Sequence, residues 1–414
     1  MHVKLKPVAT QAPRIPIANV QELMGPGVLS LAQLPPLALY VHFPWCVSKC
    51  PYCDFNSHAL DHQADEDAYL DALCADLDSA LPLIWGRRII SVFIGGGTPS
   101  LLSARGLDRL LSDIRARVPL LADCEITLEA NPSSAEAQRF AAYRQSGVTR
   151  LSLGVQSFND ASLKQLGRAH DRSQALQAAQ IALNTFDRVN LDLMVGLPEQ
   201  SPQQAQEDVR TAIGLGASHL SLYQLTIEPN TVFAKYPPPL PNEDCLAAIQ
   251  DDLQAQAAAA GFENYEVSAF AKSGARCTHN LNYWTYGDYL GIGAGAHSKL
   301  SFPHRIVRQV RLRGPGSYLA AATDSHFLAE SAQVKRQDIP FEFMLGALRL
   351  TEGVARSLFL ERTGLLESCI SAQLREAQDK ALLEKDNNLL KTTSLGRRFL
   401  NDLMEIFLPH SQQP

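Results

Sequence analysis

Residues 43–55 read FPWCVSKCPYCDF, and this stretch decides how the rest of the chain is interpreted. It places Cys46, Cys50 and Cys53 at C-x3-C-x2-C spacing, so a short loop can bring three thiolates to one point. A soft metal centre suits this arrangement better than disulfides, which would leave one cysteine over. A [4Fe-4S] cluster held by three thiolates keeps one iron open to a small molecule. The stretch therefore predicts a reactive iron–sulfur cluster.

Zinc is the alternative metal for these cysteines. A structural zinc site is closed by four ligands. The fourth would have to come from Asp54, His42 or His58, and none of these follows at the spacing usual in zinc motifs. The spacing favours the cluster, and zinc stays open as the second hypothesis.

The composition indicates a globular chain whose 46% hydrophobic residues are enough to bury a full core. The net charge of −6, from 37 basic and 43 acidic residues, gives no electrostatic case for a nucleic-acid partner. No segment reaches the roughly 18 apolar residues of a membrane span, and the N-terminus lacks a signal-peptide pattern. The cysteines outside the stretch are scattered singly, as is typical of reduced thiols. We expect a cytoplasmic protein that is not integral to a membrane.

Short apolar segments alternate with longer helical stretches between residues 37 and 230. Strands alternating with helices imply parallel, right-handed βαβ units, so we predict an α/β fold with a partial (β/α)6 TIM-like barrel. Sites in such barrels lie at the carboxyl ends of the strands. The predicted strands are Ala38–Phe43, Ile89–Ile94, Glu125–Glu129, Arg150–Gln156, Asn190–Val195 and His219–Thr226.

Polar and glycine residues follow these strands at the predicted site. Strand two ends in Gly95–Thr98, where missing Cβ atoms let backbone amides approach a ligand closely. Each carboxylate taken singly is more often a cap or loop residue. Several such groups at one rim of the barrel favour a binding site over caps and loops, because burying charges without a partner is costly. The set comprises Glu129, Gln156, Arg168 and Asp192.

The cysteine spacing, with the sequences YVHFPWC at 40–46 and GGGTPS at 95–100, resembles the radical S-adenosylmethionine (SAM) superfamily. Within it, the chain is similar to the branch that holds oxygen-independent coproporphyrinogen III dehydrogenase and the HemW haem chaperones. The similarity covers about residues 37–405. It implies a [4Fe-4S] cluster on the three cysteines and SAM bound to the open iron.

The resemblance also implies roles for single residues. Tyr40, Gly96 and Glu129 match contacts to the cluster-bound SAM. A further set matches contacts to a second SAM in the dehydrogenase, namely Tyr52, Gly97, Thr98, Gln156, Arg168 and Asp192. The dehydrogenase motif continues C-x3-C-x2-C-x-C, whereas this chain has Phe55 at the fourth cysteine position. That departure is typical of the HemW type, so the resemblance does not imply that this chain binds a second SAM.

The resemblance therefore implies a haem chaperone rather than the dehydrogenase. Its partners would be haem, acceptor haemoproteins such as membrane respiratory enzymes, and an electron donor for the cluster. The alternative is the dehydrogenase activity, in which an adenosyl radical drives decarboxylation of porphyrinogen propionates.

Outside the barrel we predict three further regions: an N-terminal arm at 1–36, a barrel extension at 231–335 and a C-terminal domain at 336–414. Proline spacing predicts that the arm is flexible. The extension is expected to contain a helix over 242–260, an edge strand over 265–268 and a glycine-rich turn over 291–296. The C-terminal domain resembles a small helical winged-helix-like domain, and its balanced charges argue against DNA binding.

The extension carries the sequence HNLNYW, which holds His279, Tyr283 and Trp284. An imidazole beside two aromatic rings can ligate and cover a haem. The alternative is a buried, hydrogen-bonded histidine among core aromatics. The HemW resemblance supports the haem interpretation, with Cys277 as a weaker candidate ligand. A substrate-facing position for His297 is a further hypothesis.

Overall fold

The computed structural model describes residues 29–60 and 65–409. Most of the predicted arm, residues 1–28, lies outside the described residues. The rest of the arm contacts the body: the backbone amide of Leu29 donates to the carbonyl of His304 over 3.1 Å, and that of Leu31 to Pro303 over 2.9 Å. Both leucine side chains are buried, so this segment is packed.

One continuous sheet runs through the molecule. It has twelve strands in the order β14-β13-β12-β11-β1-β4-β5-β6-β7-β8-β10-β9, and the pairs β2-β3 and β15-β16 form small separate sheets. The strands are β1 (Leu37–Phe43), β2 (Trp45–Cys46), β3 (His58–Ala59), β4 (Ile89–Gly96), β5 (Leu120–Ala130), β6 (Arg150–Gln156), β7 (Arg188–Val195), β8 (His219–Gln224), β9 (Glu263–Asn264), β10 (Ala269–Ala271), β11 (Asp288–Ile292), β12 (His297–Phe302), β13 (Arg305–Arg311), β14 (Leu328–Gln333), β15 (Val354–Ala355) and β16 (Leu389–Leu390).

The six predicted barrel strands are confirmed as β1, β4, β5, β6, β7 and β8. Each pairs in parallel with the next, in chain order. A further parallel strand, β11, pairs with the free side of β1 and was not predicted. The predicted α/β class and the run of six parallel strands are therefore confirmed, with β11 extending the parallel part of the sheet.

Helices pack against the sheet, and capping residues in the sequence mark where they begin. The helix Arg172–Thr185 begins with a capping box, in which Asp171 and Gln174 each accept a hydrogen bond from the other's backbone amide. In the described residues, no helix is long and apolar enough to cross a membrane. The helices are Glu66–Ala80, Ala104–Arg117, Ser134–Ala137, Phe140–Ser146, Asp160–Gln165, Arg172–Thr185, Pro202–Gly214, Val232–Lys235, Glu243–Ala259, Thr278–Trp284, Pro315–Ala320, Ile339–Ala347, Ser357–Thr363, Ser371–Asp379, Ser394–Arg398 and Leu400–Glu405.

The edge strand predicted over 265–268 is wrong. These residues form the turn of a hairpin between β9 and β10, which pair antiparallel. The carboxylate of Glu266 accepts a hydrogen bond from the backbone amide of Ser268 over 3.0 Å and closes the turn. The hydroxyl of Tyr265 lies 2.9 Å from Nε2 of His219. The residues that suggested a strand therefore form the turn, and Tyr265 contacts His219.

The C-terminal part has its own hydrophobic core, built around Phe343 and Phe359. Its helices and the small β15-β16 sheet match the expected small domain. An ion pair holds it to the barrel extension: the guanidinium of Arg308 donates to both carboxylate oxygens of Glu342, over 3.0 and 2.9 Å. The guanidinium of Arg349 also lies 4.3 Å from the ring centre of Trp284.

Candidate functional site

The cysteine loop leaves the carboxyl end of β1 and is closed by short backbone contacts. β2 and β3 pair in parallel, with Cys46 opposite Ala59. Inside the loop, the amide of Cys53 donates to the carbonyl of Cys50 over 3.2 Å. The three cysteines are free thiols, and all three line one cavity of about 530 Å³. The structure thus brings together the cysteines that the sequence singled out.

The glycines after β4 form the opposite wall of this cavity. A Cβ on Gly97 would lie 2.5 Å from the carbonyl oxygen of Trp45, and a Cβ on Gly96 would lie 2.7 Å from the His42 ring. The backbone amide of Gly97 donates to the carbonyl of Phe43 over 2.7 Å. Only glycine permits this close approach, so the cysteine loop and the glycine turn are fitted to each other.

Two carboxylates face the cavity beside the glycines. Glu129 accepts a hydrogen bond from the amide of Gly96 over 3.2 Å. Burial and the charge of Asp192 raise the pKa of Glu129 to about 8. Burial also raises the pKa of Asp192, whose oxygens accept hydrogen bonds from Ser152 over 3.0 Å and Asn190 over 2.8 Å. A cationic group bound here would favour the ionised forms of both acids.

The remaining predicted site residues are placed around the same cavity, with one exception. Tyr52, Thr98, Gln156 and Arg168 line it. Tyr40 does not appear in its lining: its hydroxyl lies 2.9 Å from Nδ1 of His42, and its ring stacks on Phe93. Burial, with the nearby charge of Glu129, raises the pKa of Tyr40, so its side chain lies close to a residue that does line the cavity.

Sequence reasoning missed several residues that complete the cavity. Asn131 donates from Nδ2 to the hydroxyl of Thr98 over 3.0 Å, and it accepts a hydrogen bond from Arg168. Tyr223 and Met194 line the side near β7 and β8. The alternation of side chains along β7 and β8 identifies both residues. Met194 lies two residues after Asp192 on the same face, and Tyr223 lies two residues after Ser221.

Three thiolates are a donor set that suits an iron–sulfur cluster. In the part of the chain that the structure describes, no three His, Cys, Asp or Glu side chains are arranged to hold one metal ion. The three thiols nevertheless share one cavity with two carboxylates and a glycine cradle. The two carboxylates suit a small ligand that carries a cationic group.

His279 lies apart from this cavity, in the barrel interior. Its ring is buried between Phe93 and Tyr283, each with its ring centre 5.0 Å away. Nδ1 lies 3.0 Å from the Ser91 hydroxyl, whereas Nε2 has no partner among the described residues. Burial, with the charge of Arg150, lowers the pKa of His279 to about 3. The imidazole is therefore neutral at pH 7, the form that ligates metals.

The other candidate residues in and near this motif are not grouped with His279. Trp284 faces Arg349 of the C-terminal domain rather than His279. Cys277 is fully buried, and its thiol donates to Glu125 over 3.5 Å. His297 is exposed and is not among the lining residues of the cysteine cavity. Of the three haem candidates, the structure brings only His279 and Tyr283 into contact.

Comparisons with known proteins agree with this arrangement. The radical SAM superfamily model matches residues 40–212, and the HemN C-terminal domain model matches residues 334–399. The chain is 48% identical to the heme chaperone HemW of Escherichia coli, over 91% of this chain and 100% of that protein. It is 45% identical to the heme chaperone HemW of Haemophilus influenzae, over 91% and 99%.

A solved structure shares the same fold. The coproporphyrinogen III oxidase HemN of Escherichia coli superimposes with a TM-score of 0.78 at 24% identity, covering 90% of each chain. At this identity the likeness concerns the fold, including the C-terminal domain.

Proposed function

The chain belongs to the HemW branch of the radical SAM superfamily, and from that premise we propose that it is a haem chaperone, which binds haem and delivers it to acceptor haemoproteins. The observation that carries this proposal is the 48% identity over the full length of a relative named as a heme chaperone. Phe55, which stands where the dehydrogenase motif has its fourth cysteine, supports it. A cytoplasmic location belongs to the same proposal.

Cys46, Cys50 and Cys53 would hold a [4Fe-4S] cluster, since their free thiols line one cavity. A cluster with an open iron binds SAM and supplies an electron to it. Gly96 and Gly97 line the same cavity, and the absence of side chains there lets the turn pack closely on the cysteine loop beside the proposed SAM site. Glu129 would face the ammonium group of SAM, which would favour the ionised form of this carboxyl.

His279 is the proposed haem ligand. Its neutral ring and unpartnered Nε2 suit axial ligation of iron, and Tyr283 supplies an adjacent flat ring. His279 is buried, so haem would reach it only if the helix Thr278–Trp284 moves relative to β4. A haem site there would be separate from the cluster.

The test is an anaerobic haem titration of the reconstituted protein, followed by its optical spectrum. We expect stoichiometric binding in the wild type and in Cys46→Ala, and weaker or spectrally altered binding in His279→Ala. The exposed His326→Ala is the matched control and should bind as the wild type does. Absence of specific haem binding in the wild type would contradict the proposal.

Coproporphyrinogen III dehydrogenation is the second candidate function. Gln156, Arg168 and Asp192, which match the dehydrogenase's contacts to a second SAM, all line the cavity. The missing fourth cysteine argues against it. Turnover of coproporphyrinogen III by the reconstituted protein with SAM and a reductant would establish this function in place of the first.

A further inference from the structure

Arg168 is held against the cysteine loop by its own backbone and by three side-chain contacts. The helix Asp160–Gln165 ends just before Gly167, whose φ of +65° turns the chain towards the loop. A Cβ on Gly167 would lie 2.8 Å from Cδ of Pro51. The backbone therefore lies directly against the loop, and the side chain of Arg168 lines the cavity.

The guanidinium is fixed at both of its terminal nitrogens. Nη2 donates to the side-chain oxygen of Asn131 over 2.6 Å and to the carbonyl of Gly154 over 2.8 Å. Nη1 lies 3.6 Å from Sγ of Cys50. Asn131 and Gly154 lie at the ends of β5 and β6, so two strands of the barrel position the cation beside one particular cysteine.

The charge of this guanidinium is not neutralised by a carboxylate. Among the described residues, Arg168 forms no ion pair with an aspartate or glutamate, unlike Arg188 and Arg311 in the same barrel. Its neighbours Asn131 and Gly154 are uncharged, and Tyr52 is a phenol whose ordinary pKa is about 10. An enclosed cation without a counter-charge is costly. The group beside it that can carry negative charge is the Cys50 sulfur.

We propose that Arg168 is a positioning residue for the iron–sulfur cluster: its fixed cation beside Cys50 stabilises the reduced, more negative state and so raises the reduction potential. This inference rests on the proposed function, because it requires that the cysteines hold a cluster. The step concerned is a one-electron reduction by an external low-potential donor. Added negative charge on the cluster is attracted by the guanidinium at short range, where little water screens the interaction.

The experiment is a potentiometric titration of the reconstituted protein, read by electron paramagnetic resonance. In Arg168→Met we expect reduction to become at least tenfold less favourable, a shift of about 59 mV to more negative potential for a one-electron couple. Arg168→Lys keeps a positive charge and should recover most of the shift. Arg172→Met removes the same charge from an exposed position four residues away and should leave the potential unchanged.

The outcomes separate this inference from the proposed function. A wild-type protein that holds no cluster contradicts the proposed function. A loaded Arg168→Met protein with the wild-type potential contradicts only the inference. If Arg168→Met and Arg168→Gln both lose the cluster while Arg168→Lys retains it, the requirement for charge is supported. Cluster loss in all three variants would show that Arg168 only braces the loop and would overturn the inference.

Discussion

Glu129 holds its carboxyl in a setting that favours the protonated form. In the folded protein without ligand, its pKa is raised from the ordinary 4.5 to about 8, mainly by burial. The folded state therefore retains a proton that the unfolded chain releases above about pH 4.5. Because the folded state binds more protons, stability falls as pH rises between these two values. The unliganded protein therefore loses stability by burying this carboxyl, whereas a bound cation would favour its ionised form.

This setting predicts the effect of Glu129→Gln on the unliganded protein. The variant should become more stable than the wild type as pH rises from 5 to 8, by about 1.4 kcal/mol for each pKa unit of the shift. Urea unfolding at a series of pH values measures the difference. Glu361→Gln, at an exposed position, is the control and should show no such trend. A gap between wild type and Glu129→Gln that stays constant with pH would refute the account.

At the scale of elements, helix caps decide where the outer helices begin. Asp171 caps the helix Arg172–Thr185, accepting a hydrogen bond from the Gln174 amide over 2.9 Å. Asp171→Ala leaves that amide without its partner and should lower the free energy of unfolding by about 1 kcal/mol. Chemical denaturation measures this loss. Gln180→Ala, on the exposed middle of the same helix, should change stability by less than about 0.5 kcal/mol, and an equal loss in both would contradict a capping role.

The elements also show what sequence patterns can and cannot specify. Of the six barrel strands, all except β5 were predicted to within two residues at each end, because buried parallel strands are short apolar runs between polar turns. β11 was missed, since its sequence DYLGI has a glycine and lies just before a glycine-rich turn. The contact between Arg168 and Cys50 was missed too, because a distance between residues 118 apart in the chain depends on the packed barrel.

At the scale of the whole molecule, a buried ion network joins the extension to the barrel. Nζ of Lys299 lies 3.0 Å from one carboxylate oxygen of Asp288, and Arg87 lies 2.8 Å from the other. Asp288 and Lys299 are both buried. The network links β11 and β12 to the loop before β4, so the added strands and the predicted barrel behave as one unit.

Lys299→Met tests this connection. Removing one cation from a buried network leaves the carboxylate less well compensated, and the expected loss is about 3–5 kcal/mol of unfolding free energy. Denaturant unfolding measures it. Lys380→Met removes the same charge from an exposed pair with Glu376, where the expected loss is below about 1 kcal/mol. Similar losses in the two variants would show that the network does not stabilise the fold.

The general architecture and most of the residues that line the cavity were predictable from the sequence. The full set of lining residues was not. The cysteines and strand-end residues have fixed spacings that identify them. The buried, hydrogen-bonded state of His279 was one of the two alternatives that the sequence left open. The stacking of Tyr40 on Phe93 and the place of His279 between Phe93 and Tyr283 depend on how distant segments pack. Packing between distant segments has no local sequence pattern, and that is why these features needed a three-dimensional structure.

The pairing of β1 with β11 has a consequence for biosynthesis. β1 ends at Phe43 and its partner begins at Asp288, so the cysteine loop leaves the ribosome long before the strand that flanks it. At roughly 5–20 residues per second, that interval is on the order of tens of seconds. The turn after β11 also packs on His42 and Asn56 beside the loop. Metal insertion into the nascent chain would therefore meet an unfinished binding pocket, and maturation of the centre is expected to follow completion of translation.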